Sequence, residues 1–193
     1  EEGNGVFSID ITASAPNEII AGLHMTLERV LQESSVRVLI LRGLERGFER
    51  GGRERHNQAV EKRLYQAIVS FPYPVIAVLQ GDAIGVGFMA GALCDFMVCN
   101  EDAQYGYTDA ECHFYPTNAE AILLSERFGA LRTHDLLYLS AATTGREMRA
   151  KGWTCPVLPW PQVEAYAQRL ASMLAAKSHD APRPLKANLT RPL

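Results

Sequence analysis

Leu79-Gln80-Gly81-Asp82-Ala83-Ile84-Gly85-Val86-Gly87-Phe88-Met89-Ala90-Gly91 is the stretch on which the reading of this chain turns. The apolar run at residues 74–79 reads as a strand that enters a tight glycine turn. A helix of small residues then opens and runs towards Cys94. Glycines at 85 and 87 let a ligand come against the backbone. The start of the helix points unbonded N–H groups and the positive end of its dipole at whatever lies above it. Such a turn suits a developing negative charge on oxygen.

Upstream, Val6-Phe7-Ser8-Ile9-Asp10-Ile11 alternates like a strand, and Pro16-Asn17-Glu18 opens a helix with Ile19, Ile20, Leu23, Leu27, Val30 and Leu31 on one face. His24 sits beside that face as a packing residue. The branched run at residues 36–41 is a buried strand. Residues 44–56 are rich in glycine and in both charge signs, which fits either a solvated surface loop or a mobile flap anchored by Phe48 before Gly51-Gly52. Residues 57–71 read as one helix.

Downstream, strands are expected at 95–99 and 104–107, and a polar and aromatic loop at 109–116. Helices follow at 118–128, closed by Gly129, at 133–139 and at 144–152. Residues 155–161 read as an extended connector, and the last long helix as 162–177. Strands alternating with helices predict an α/β fold with parallel strands and a mostly helical C-terminal third.

The 193 residues, 47% hydrophobic, predict one domain with a substantial core. A net charge of −3 argues against nucleic acid as a partner, and no run of about 18 apolar residues marks a membrane span. The polar opening Glu1–Gly5 is unlike a signal peptide, and its abruptness suggests a domain excised from a longer chain. Four cysteines, at 94, 99, 112 and 155, form no CxxC pair, so a reducing cytoplasm is the expected location, with neither a metal nor a disulfide.

From about residue 5 to 189 the chain resembles the crotonase (enoyl-CoA hydratase/isomerase) superfamily. The resemblance is carried by Pro74–Gly81, by Ala83-Ile84-Gly85-Val86-Gly87, by Cys94–Val98 and Ala103–Gly106 at their spacing, and by the flap at Phe48–Gly52. It implies a spiral of ββα units over about 5–130, with a helical C-terminal region over about 131–193, assembled as a trimer. Within the superfamily, Gly51-Gly52, the 156–159 connector before Val163, and Pro182-Arg183 before Leu185-Lys186 are similar to the decarboxylases of polyketide β-branching. Those enzymes act on acyl groups carried by an acyl carrier protein.

The resemblance puts the two oxyanion-hole amides at Arg50 and Val86, with Gly51, Gly85, Gly87, Met89 and His56 around the substrate pocket. An enolate formed from a thioester carries negative charge on the carbonyl oxygen, and backbone donors stabilise it whatever side chain they bear. No cofactor is implied beyond the phosphopantetheine or CoA that carries the substrate.

Family hydratases place two glutamates on water. Here their positions hold Met89 and Asp109, which makes a two-acid hydration improbable and leaves Asp109 as the candidate acid/base, or else an ordinary turn aspartate. His113 and Tyr107 are candidate proton donors, with His113 equally readable as structural filler. The β-branching decarboxylases are thought to use a flap lysine and a histidine near the C-terminus. This flap offers His56, Lys62 and several arginines, and Asn188 stands at the histidine's place. Thr117-Asn118-Ala119-Glu120 replaces the glycines expected after Pro116, so the acyl pocket is rebuilt. Glu111 and Glu120 are expected to face solvent, Asp82 to cap the glycine turn, Trp153 and Trp160 to pack or meet another subunit, and Arg127, Arg132 and Lys186 to be surface cations or to meet phosphates.

Three functions compete: decarboxylation or isomerisation of a carrier-bound enoyl or glutaconyl thioester, a CoA-thioester isomerase or hydratase of the same fold, and a non-catalytic module of a synthase.

Overall fold

The structure, a computed structural model, describes residues 2–12, 16–48, 53–107, 116–139, 142–177 and 185–186. Its centre is a parallel sheet in the order β1 (Val6–Asp10), β2 (Val38–Arg42), β3 (Val75–Leu79), β5 (Phe96–Asn100) and β8 (Val157–Leu158). Val6 pairs with Val38, Leu39 with Val75, Ile76 with Phe96, and Cys99 with Val157. A second, three-stranded sheet runs β4 (Ala83–Ile84), β6 (Gln104–Gly106) and β7 (Thr143–Thr144).

Strands 2 and 3 are buried throughout apart from Arg42, as central parallel strands must be. Their alternation splits the core in two. Leu39, Leu41, Val75, Ala77, Leu79 and Met97 face one side. On that side lie α1 (Pro16–Leu31), α3 (Arg53–Glu61), α4 (Leu64–Ser70) and α5 (Val86–Leu93). Val38, Ile40, Ile76, Val78 and Val98 face the other, where α9 (Trp160–Ala175) lays Val163, Ala167, Ala171 and Ala175 against them. A side chain every fourth residue keeps that stripe on one face, and alanine lets the helix axis come close to the sheet. The remaining helices are α2 (Leu44–Gly47), α6 (Asn118–Phe128), α7 (Ala130–Tyr138) and α8 (Gly145–Ala150).

The α/β class and the parallel core agree with the sequence. Three segments differ. Residues 44–56 contain helix α2 and the start of α3 rather than loop throughout, because Leu44 and His56 are buried and draw their turns onto the core. The expected helix at 57–71 is two helices, broken at Arg63, whose φ of 54° is left-handed. The expected connector adds β8 to the main sheet, with the Cys99 N–H donating to the Pro156 carbonyl, and α9 starts at Trp160, since Pro161 in a first turn forfeits no hydrogen bond.

Candidate active site

Strands 2 and 3 are parallel neighbours, so the chain leaves both at the same end of the sheet. Strand 2 leads through α2 to the flap, and strand 3 leads through β4 to α5. This is how segments far apart in sequence come to share one place. Gly87 marks the contact: a Cβ there would sit 2.6 Å from the Leu44 carbonyl oxygen and 3.5 Å from Phe48 Cβ. Phe48 is buried and stands two residues before Arg50. Arg50 and Gly51, like Asp109 and His113, lie outside the described residues.

Helix 5 begins at Val86, as the glycine turn predicts. Gly85 precedes it at φ 64° and ψ −123°, a conformation that essentially only glycine adopts, and no side chain caps the helix there. As the first helical residue, Val86 has no carbonyl one turn earlier to bond, so its N–H is among the donors the helix leaves over. Asp82 does not cap this turn. Its Oδ1 accepts from the Gln104 N–H at 2.8 Å and ties the turn to β6. Met89, one turn on, is buried in the main core cluster.

Tyr107 directly follows β6, and its carbonyl oxygen lies 3.8 Å from where a Cβ on Gly85 would be. Its side chain enters a buried polar cluster. His56 comes from α3, Tyr65 from α4 and Glu120 from the first turn of α6. His56 Nε2 is 3.4 Å from Glu120 Oε1, and the Tyr65 hydroxyl is 3.4 Å from His56 Nδ1. The Tyr107 ring meets the imidazole edge-on, with centroids 6.4 Å apart. His56 and Glu120 are only 5% and 6% exposed. Burial lowers the His56 pKa, opposed by the charge of Glu120, while burial and then Glu120 push the phenols of Tyr65 and Tyr107 well above the ordinary range.

Glu120, expected at the surface, is thus interior, and it was the principal omission from the sequence-based site. Its Oε2 accepts from the Thr117 N–H at 2.7 Å and from Thr117 Oγ1 at 2.9 Å, completing a capping box. The Thr-x-x-Glu signal was readable, but it does not say where the second carboxylate oxygen points. Lys186 was also misplaced. It is not a surface cation: it is buried, pairs with Asp95 at 2.7 Å and donates to the Tyr73 carbonyl at 3.0 Å. Trp153 packs as expected, stacked on Phe128 with centroids 4.3 Å apart.

Glu45, in the charge-dense stretch before the flap, is a second buried carboxyl. Among the described residues its Oε2 has no hydrogen-bond partner, and burial raises its pKa. A carboxyl whose folded value lies above its unfolded one binds protons more tightly in the native state. Its contribution is fully present below about pH 4.5 and is lost as pH rises through the folded value. Glu45→Gln should therefore stabilise the protein at pH 7 by about 1–2 kcal/mol. Thermal unfolding followed across pH should show the gain shrinking to nothing towards pH 4.5.

The sequence profile described as enoyl-CoA hydratase/isomerase matches residues 2–193. The chain belongs to that family. Among its crotonase-fold relatives, bacillaene synthase decarboxylase PksI of Bacillus subtilis is 27% identical over 184 residues, covering 91% of this chain and 74% of that protein. A variant of the ECH2 decarboxylase domain of CurF from Lyngbya majuscula superposes with a TM-score of 0.82 at 25% identity, over 98% of this chain and 83% of that one. A putative enoyl-CoA hydratase of Thermus thermophilus is 26% identical, over 82% of this chain and 68% of that protein. This crotonase-family enzyme therefore stands close to the decarboxylases of polyketide β-branching. Among its described residues no helix is long and apolar enough to cross a membrane.

Proposed function

We propose that this enzyme decarboxylates a glutaconyl-type thioester carried on the phosphopantetheine arm of an acyl carrier protein. The observation that carries the reading is the pairing of Val86 with Met89 on one helix. The first turn of α5 offers a backbone donor for an enolate oxygen, while one turn later an apolar, buried methionine stands where a hydratase needs a carboxylate.

In this reading the thioester carbonyl lies between the amides of Val86 and Arg50. Loss of CO₂ leaves the carbon–carbon electron pair on Cα, delocalised onto that oxygen. Two preorganised donors hold the charge without reorganisation, and a site closed to water does not compensate the departing carboxylate. The resulting enolate needs one proton. Tyr107 is its donor among the described residues, with Asp109 and His113 as the candidates in the adjoining loop. Similarity to PksI and to the CurF domain supports decarboxylation over the other family reactions. The proposed assembly is a trimer.

The test is mass spectrometry of a carrier protein loaded with 3-methylglutaconyl and incubated with this enzyme. The expected result is loss of CO₂. An unchanged mass with a moved double bond would instead assign an isomerase, and addition of water a hydratase, the activity suggested by the Thermus relative's name. A wholly unchanged thioester would leave the non-catalytic module.

A further inference from the structure

The cluster beside Tyr107 has an arrangement that packing alone does not require. Glu120 needs only one oxygen to cap its helix, and both donors of Thr117 converge on Oε2. Oε1 is held inside the protein, facing His56 Nε2. The Tyr65 hydroxyl at Nδ1 turns the imidazole so that Nε2 is the nitrogen presented to the carboxylate. Among the described residues, the ionisable groups facing His56 are Glu120 from α6, Tyr65 from α4 and Tyr107 after β6. An isolated buried carboxylate is costly, and a carboxylate and an imidazole that share one added proton are neutral as a pair.

We propose that His56 and Glu120 together store one proton for the enolate and deliver it through the Tyr107 phenol, with Glu120 as the positioning residue for that transfer. The proposal rests on the enolate chemistry above. In the step, the Tyr107 O–H bond breaks as the Cα–H bond forms. The Tyr107 oxygen recovers a proton from the Glu120 carboxyl, which takes it from His56 Nε2, and the empty pair refills from water.

The reserve answers a difficulty with Tyr107 acting alone. A phenolate left in this buried place, beside a carboxylate, is strongly disfavoured, as its raised pKa indicates. A proton stored next to it prevents that charge from accumulating. Burial holds the His56 pKa below its ordinary value, so the store is loaded on the acid side of 6.5 and delivery to the enolate should weaken as pH rises above it.

The reverse of the step, removal of a Cα proton, requires the pair to be empty. The experiment is therefore deuterium washout from the Cα of butyryl-pantetheine by the intact protein, measured against pH. Washout should fall as pH is lowered through the titration of His56, below the usual histidine value of 6.5. Glu120→Gln should slow it at least about tenfold and move the limb to still lower pH, because the charge that opposes the burial of His56 is gone. Glu120→Asp should restore part of the rate, and His56→Asn should abolish the limb. Should Glu120→Gln not fold, Tyr107→Phe carries the same test, since it keeps the store and loses the delivery. Washout at the wild-type rate with an unmoved limb in Glu120→Gln, or at the wild-type rate in Tyr107→Phe, overturns the proposal, as does wild-type protein that shows no washout. Washout that behaves as expected without CO₂ release from the carboxylated thioester would support this store while removing decarboxylation from the reading above.

Discussion

Val86→Pro should lower turnover by about 10²- to 10³-fold while the protein remains folded, the loss expected for one oxyanion donor. The substitution removes one backbone donor, the amide proton proposed to meet the enolate oxygen, and keeps an apolar group of similar size at a buried position. Proline suits the first position of a helix, where its fixed φ is already helical and the missing N–H had no carbonyl to bond. The usual conflict between proline and the residue before it arises in the right-handed α region, and Gly85 lies outside that region at φ 64°. Steady-state kinetics on the carrier-bound substrate, with circular dichroism and a melting curve, are the measurements. A fall in kcat of that size with a native spectrum is the expected outcome. Turnover within a few-fold of wild type would remove Val86 from the oxyanion hole.

Asp95→Ala should cost about 3–5 kcal/mol of stability, the largest loss expected at a residue remote from the chemistry. The Asp95 carboxylate sits at the amino end of β5, where Oδ2 accepts from the Val75 N–H at 2.8 Å and from Lys186 Nζ at 2.7 Å. The lysine side chain is 7% exposed. Removing the acid takes the Asp95 carboxylate away from a buried ammonium and the acceptor away from the Val75 N–H. The measurement is urea unfolding. A double substitution with Lys186→Met should recover much of the loss, because two apolar groups replace a pair rather than orphaning one member. This link also ties the segment around Leu185-Lys186 to the start of the central strands, a structural role for a lysine expected at the surface.

The parts of the fold that could be read in the sequence were those with long, repeated patterns. The apolar face of α1, the branched run of β2 and the strand–turn–helix around Gly85 each combine periodicity with turn chemistry. The break between α3 and α4 could not be read, because a left-handed Arg63 carries no glycine or asparagine to announce it. Strand 8 is two residues long between prolines and becomes a strand only because β5 offers it a partner. The candidate site divides in the same way. Local chain geometry made the helix start at Val86 readable. The partnership of His56 with Glu120 is a tertiary contact between residues of α3 and α6, and neither residue's immediate neighbours specify it. Buried charges such as Glu120, Glu45 and Lys186 are where composition misleads, since their residue types are surface types by habit and interior only by pairing or strain.

The close approach of Gly87 to Leu44 has a consequence for how such a site tolerates change. The spacing between α2 and α5 is set by main chain against main chain, at Leu44 and Gly87. The backbone donor proposed at position 86 is thus positioned by the main chain, while the Val86 side chain packs into the core. Gly85 and Gly87 have no latitude, the first for its φ of 64° and the second for its contact with Leu44. In a saturation scan, Val86, whose side chain is buried in the main core cluster, should accept only apolar residues near its size other than proline, and Gly87 should be intolerant even of alanine. A lineage could exchange one reaction for another by rewriting the surrounding loops while this spacer stayed constant.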